Sequence, residues 1–209
     1  MKETPLLFKG EMVRATLDGR KTVTRRLRGL DRVNESPDRY MFRTMSGSTA
    51  IFWGLSVMDG MPHIVCPYGQ PGDRLWVRET IYNDGDGDWM YADGKYIPDV
   101  PRDWANSNAH RGVVPSIHMP RWASRIMLEI TAVRVERLQK ITDDGIKSEG
   151  VLCDPTEGHF GCVYAPGETP AYFMPWRRKF IELWDSVNGA GAWDKDPHVW
   201  VVEFKVVAP

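Results

Sequence analysis

The stretch Leu17-Asp18-Gly19-Arg20-Lys21-Thr22-Val23-Thr24-Arg25-Arg26-Leu27-Arg28 decides how this chain is read. From Arg20 to Arg28, five of nine residues are lysine or arginine and none is acidic. Thr22 and Thr24 alternate with Val23 inside that charge. Upstream, Gly10 to Leu17 carries Met12, Val13, Ala15 and Leu17 partly on one face, which predicts a short helix with Gly19 as its stop. Thr22 to Leu27 then alternates as a strand. Arginines in such a run supply phosphate or carboxylate contacts, and a lysine near a hydroxyl can supply chemistry. A solvated basic edge strand accounts for the same pattern.

Lys21 and Thr24 lie three apart, so on an ideal strand they face opposite sides. They converge only if Lys21 sits on the turn leaving Gly19, with Thr24 alone inside the regular strand. Downstream, Thr142 is a predicted N-cap, with Asp143 and Asp144 suiting a helix N-terminus. That helix runs to Glu149 and stops at Gly150. A lysine, a threonine hydroxyl and a carboxylate together can hydrolyse an amide: hydroxyl as nucleophile, desolvated lysine as its base, carboxylate orienting groups or shuttling a proton.

Other elements follow outward. Pro5 to Phe8 is a predicted first strand. Residues 29–51 read as an irregular loop, Ile51 to Val57 as a strand, and His63 to Cys66 as its pairing partner across the turn at Asp59-Gly60-Met61-Pro62. Arg74 to Glu79 alternates, with Leu75 and Val77 on one face and Trp76 and Arg78 on the other. Residues 83–116 predict a hairpin at Asp93-Gly94, with Trp89–Ala92 and Lys95–Ile97 as arms, inside a long surface excursion. Ser124 to Leu138 is strand-rich, with a phase slip at Thr131 to Val133 that a bulge would absorb. Phe173, Trp176, Phe180, Leu183, Trp184 and Val187 recur at helical spacing, so Pro175 to Val187 is a predicted helix ended by Gly189. Val199 to Val207 closes as a buried strand. This order is α+β, and short connections argue for a curled sheet or small barrel with helices at the rim.

With 27 basic and 28 acidic residues the net charge is -1, so nucleic-acid affinity has to come from local asymmetry. Three cysteines, Cys66, Cys153 and Cys162, in 209 residues do not make a secreted disulfide framework. No window approaches the roughly 18 apolar residues of a membrane span and no leader is visible, so the expectation is a soluble cytoplasmic protein. Cys153, His159 and Cys162 are weak zinc-ligand candidates, their spacing matching no standard finger. Otherwise no metal and no cofactor is implied. Arg121-Trp122 and Arg125 form a second basic-aromatic cluster, read chiefly as packing.

Several pieces occur together in order: Asp18-Gly19-Arg20-Lys21-Thr22-Val23-Thr24-Arg25, Gly72-Asp73-Arg74-Leu75-Trp76-Val77, Ile141-Thr142-Asp143-Asp144 with Glu149-Gly150, and Val201-Val202-Glu203-Phe204-Lys205. This succession resembles the ASCH family of the PUA-like superfamily. Pro5-Leu6-Leu7-Phe8, Met119 to Arg125, Phe180 with Leu183-Trp184-Asp185, and Asp196-Pro197 with Trp200 are similar to phage- and prophage-encoded members in particular. The resemblance implies one ASCH domain over residues 1–209, a small curled β-barrel with a cleft, in a superfamily that mostly handles RNA. It also implies insertions near 29–70, 82–118 and 152–172, because compact members are much shorter. Compact bacterial members hydrolyse N4-acetylcytidine with a Lys, a Thr and a Glu, which fall here on Lys21, Thr24 and Glu149. Arg25-Arg26 is more basic than the compact pattern. Arg20, Arg25, Arg26, Arg78 and Trp76 are the candidate substrate or phosphate contacts. Three functions stay open: an amidohydrolase acting on an acylated nucleoside or base, a non-catalytic module holding RNA or a modified base, and a ribonuclease.

Overall fold

The computed structural model describes residues 1–108, 110–152 and 175–208. In chain order the elements are β1 (Glu3–Leu7), α1 (Gly10–Leu17), β2 (Val23–Arg26), α2 (Asp31–Asn34), β3 (Tyr40–Ser46), β4 (Thr49–Gly54), β5 (His63–Val65) and β6 (Arg74–Arg78). Then come β7 (Ile81–Asn83), β8 (Trp89–Tyr91), α3 (Arg102–Asn108), β9 (Val113–Val114), β10 (Met127–Arg137), α4 (Asp143–Ser148), α5 (Pro175–Asn188) and β11 (His198–Val207). The fold is α+β. The largest sheet has the order β1-β6-β10-β11-β2 and is open, with β1 and β2 as its edges. The chain divides into two compact units, Met1–Gly19 with Tyr68–Ala132 and Phe204–Pro209, and Arg20–Pro67 with Val133–Glu203.

In the first unit β1 runs parallel to β6, pairing Thr4 with Leu75 and Leu6 with Val77, and β6 pairs antiparallel with the start of β10, Trp76 opposite Met127. Leu75, Trp76 and Val77 are all buried, so β6 is covered on both faces, where alternation alone left one face open. The hairpin at Asp93-Gly94 forms: Tyr91 N–H donates to Lys95 C=O at 2.9 Å and Ile97 N–H to Trp89 C=O at 2.7 Å. The ladder partner of β8, however, is β7, in a small sheet of order β8-β7-β9. Ile81, Trp89, Tyr91, Val114 and Met119 form the core beneath it.

In the second unit β2 pairs antiparallel with β11, Thr24 opposite Val202 and Arg25 opposite Val201. Val23, Val199 and Val201 pack with Ile146 of α4 and with Phe180 and Trp184 of α5. The loop expected over 29–51 is instead α2, β3 and the start of β4, in a sheet of order β3-β4-β5. No residue of β3 is fully buried, and a bulge between Phe42 and Thr44 breaks its alternation, so the apolar signal for a strand is missing there. The expected return of His63 onto β4 is present, with Ala50 opposite Ile64.

Both helices named from their caps form. Thr142 Oγ1 accepts the Gly145 N–H at 3.1 Å, opening α4, and Gly150 ends it at φ 85°. Gly189, at φ 101°, ends α5. Thr142→Ala is expected to lower stability by about 1 kcal/mol and Thr142→Ser to restore most of it, read from urea unfolding midpoints. No helix of the described residues is long and apolar enough to cross a membrane.

Candidate functional site

Gly19 takes φ 73° at the end of α1, a left-handed value that suits glycine, and turns the chain into Arg20 and Lys21. Lys21 lies on this turn, two residues before β2, while Thr24 is inside β2. The Thr22 N–H donates to Ser148 C=O at 2.9 Å, tying the turn to the last residue of α4. Lys21 is thereby set beside Glu149, the C-cap of that helix.

Lys21 Nζ donates to Glu149 Oε2 at 2.6 Å, to Glu149 C=O at 2.9 Å and to Val23 C=O at 2.9 Å. Lys21 is 2% exposed and Glu149 5%. Three acceptors match the three donors of an ammonium, so the charged form fits this geometry. Burial pushes the Lys21 ammonium below the ordinary lysine range; the Glu149 carboxylate opposes this, while Arg26 and Arg25 add to it.

Arg25 turns inward. Its Nη1 donates to Glu149 Oε1 at 3.2 Å, and its Nε and Nη2 both donate to Glu136 Oε1, at 2.9 and 2.7 Å. Glu136 Oε2 lies 3.5 Å from Arg134 Nε, and Arg134 in turn pairs with Glu203. The result is a row of alternating charge, Lys21–Glu149–Arg25–Glu136–Arg134–Glu203. It is buried at the lysine end and half-exposed at the other.

Thr24 is buried. It lies opposite Val202 in the β2–β11 ladder, between Val23, which packs on the α4–α5 core, and Arg25, which reaches Glu149. The structure brings Lys21 and Glu149 into contact and holds Thr24 buried within β2, three residues beyond Lys21.

The candidate substrate contacts are placed as follows. Arg20 Nη1 donates to Gly150 C=O at 3.1 Å, where it caps the end of α4. Arg25 is committed to two carboxylates, and Arg26 is half-buried opposite Trp200 in the β2–β11 ladder. Trp76 and Arg78 belong to the first unit. The Arg78 guanidinium lies 4.6 Å from the Trp76 ring centre and donates to Ile117 C=O at 3.1 Å. Arg121 approaches the same ring at 5.9 Å while paired with Glu3 at 2.9 Å. At 7% exposure, the indole is covered, and a base could stack on it only by displacing these arginines. Arg125 makes a two-point contact with Glu79, 2.8 Å on each side, pairs with Asp93, and lies 3.8 Å from the Tyr91 ring centre. Burial pushes the Glu79 carboxyl up against the pull of Arg125.

Cys153, His159 and Cys162 lie outside the described residues, among which no group of three or more His, Cys, Asp or Glu side chains is arranged to hold a metal. The sequence reading missed Glu136. It lies 111 residues from Arg25, and nothing in the Val133-Arg134-Val135-Glu136-Arg137 pattern distinguishes it from an ordinary strand-surface charge.

No family model and no curated protein matches the chain. Among solved structures it is similar to an ASCH domain from Lactobacillus crispatus JV V101, at 14% identity and TM-score 0.37, over 100% of this chain and 81% of that one.

Proposed function

We propose that this chain is an ASCH-type amidohydrolase that removes an acyl group from a modified base such as N4-acetylcytidine. The observation that carries the reading is the buried Lys21–Glu149 pair at 2.6 Å. Lysines are rarely buried, and burial makes this one easier to deprotonate. In the proposed reaction neutral Lys21 Nζ takes the proton of Thr24 Oγ1 as that oxygen attacks the acyl carbonyl. The carbon–nitrogen bond then breaks, Lys21 returns the proton to the leaving base nitrogen, and water hydrolyses the Thr24 ester to release the carboxylic acid. Glu149 orients Lys21, and the proton that the resting ammonium must shed goes to solvent.

One observation favours a second reading, a module that holds RNA or a modified base without chemistry. In the resting geometry Lys21 Nζ donates to three protein acceptors.

The test is turnover of N4-acetylcytidine to cytidine and acetate by the purified chain, followed chromatographically. Thr24→Val, which keeps the side-chain shape, is expected to lower kcat/KM by about 1,000-fold or more at unchanged circular dichroism, with Thr24→Ser retaining part of the activity. Absence of turnover by folded wild-type protein across acylated nucleosides overturns the enzyme reading. RNA retention without turnover supports the binding module, and loss of unmodified RNA points to a nuclease.

A further inference from the structure

We infer that Arg25 is the positioning residue of the Lys21–Glu149 pair: its guanidinium holds one oxygen of Glu149 so that the other is presented to Lys21. The functional meaning of this role rests on the hydrolytic reading above, whereas the geometry stands independently of it. Arg25 is 5% exposed and occupies Glu149 Oε1, while Lys21 occupies Oε2. The guanidinium is anchored from behind by Glu136, which takes both Nε and Nη2. It also lies against the first turn of α4, where the missing side chain of Gly145 leaves it room. A Cβ there would stand 3.2 Å from Arg25 Nη2 and 3.1 Å from Ile141 Cγ1. A side chain held from three directions does not reach outward for a phosphate.

What Arg25 contributes follows from the difference between its cation and that of lysine. A guanidinium keeps its proton throughout the accessible pH range, whereas a buried ammonium can lose one. If Lys21 alone compensated Glu149, its deprotonation would leave a buried, uncompensated carboxylate, a state costing several kcal/mol. With Arg25 on the other oxygen, the Glu149 carboxylate keeps a cation partner when Lys21 becomes neutral. Arg25 thus makes the neutral lysine accessible and holds the carboxylate in one orientation while the proton moves. The other charges facing Lys21 are Arg26 from β2 and, behind Arg25, Glu136 from β10.

The test is titration of Lys21 by NMR of the full chain with 13Cε-labelled lysine, assigned with Lys21→Arg. In Arg25→Met, Lys21 becomes the remaining side-chain cation found on Glu149, so its midpoint is expected to rise by about one pH unit or more. In Glu136→Gln, which removes a negative charge and frees Arg25 for Glu149, the midpoint is expected to fall or stay. Arg25→Lys keeps a cation and is expected to lie between wild type and Arg25→Met. If the wild type turns over substrate, the rising limb of kcat against pH should move upward with the midpoint in Arg25→Met. An arginine that only supports the fold would lower stability and leave the midpoint in place. A shift below about 0.3 unit in Arg25→Met, or a rise in Glu136→Gln as well, overturns the inference. Turnover with an unmoved midpoint removes the positioning role and leaves the hydrolytic reading standing. A moved midpoint without turnover does the reverse.

Discussion

Replacing Lys21 with methionine is expected to lower the unfolding free energy by about 1–3 kcal/mol, the range for leaving buried acceptors short of a donor, because Arg25 still pairs with Glu149. Methionine reproduces the length of the lysine stem, so the loss is electrostatic rather than volumetric. It leaves Glu149 buried, with one donor fewer on its carboxylate and one fewer on its main-chain carbonyl, and takes one donor from the Val23 carbonyl. Each buried acceptor left short of a donor carries a desolvation penalty. The complementary change, Glu149→Leu, is expected to cost less above neutral pH, because Lys21 can shed its proton. The sign follows from linkage. A lysine whose folded pKa is depressed binds fewer protons folded than unfolded, so the stability of Glu149→Leu rises with pH toward the ordinary lysine range. The double variant, Lys21→Met with Glu149→Leu, should recover part of the loss, since both desolvation penalties vanish together. Urea unfolding followed by tryptophan fluorescence measures all three. A loss below about 1 kcal/mol for Lys21→Met would mean that the pair is hydrated in solution and not the buried contact described above.

Local signals located the turn and the helix that build this pair. Gly19 stops α1, Thr142 caps α4, and Gly150 ends it, each through backbone chemistry confined to a few residues. For that reason Lys21 could be placed on a turn from the period-two objection alone. The orientation of Arg25 was not legible in the same way. In sequence it is one of five cations within nine residues, and a charge run reads as a solvated face. What turns it inward is a pair of carboxylates 111 and 124 residues away, on β10 and at the end of α4. A salt bridge across such a separation leaves no periodic trace. β3 was missed for a related reason: its strand character comes from hydrogen bonds to β4 and not from a buried apolar face, and the bulge at Phe42 to Thr44 removes what alternation remained. The burial of Trp76 likewise depends on Arg78 and Arg121 lying over its ring, which alternation along β6 does not specify.

Acidification from pH 6.5 to about 4 is expected to cost the second unit up to about 3 kcal/mol through one residue, His198. His198 opens β11 and is 2% exposed. Its backbone is clamped by Asn34, whose Oδ1 accepts the His198 N–H at 2.8 Å and whose Nδ2 donates to the His198 C=O at 2.9 Å. The imidazole stands edge-on to Phe52, 5.2 Å between ring centres, and its buried Nδ1 has no hydrogen-bond partner among the described residues. Burial, with help from Arg137 and Lys140 against Asp196 and Asp38, pushes the imidazole down to about 4 from its ordinary 6.5. The unfolded chain therefore binds a proton between pH 6.5 and 4 that the folded chain does not. Stability from this group is complete above pH 6.5, declines as the pH falls, and is lost once the folded imidazole also titrates. His198→Leu removes the titration and keeps an apolar contact for Phe52. Altered packing shifts its stability at pH 7 by a constant, so the slope between pH 6.5 and about 4.5 is the diagnostic quantity. His63, His110 and His118 are exposed and present in both proteins, so the difference between the two slopes isolates His198. Unfolding midpoints at half-unit pH steps give those slopes, and parallel curves for wild type and His198→Leu would show that the buried imidazole finds a proton acceptor in solution.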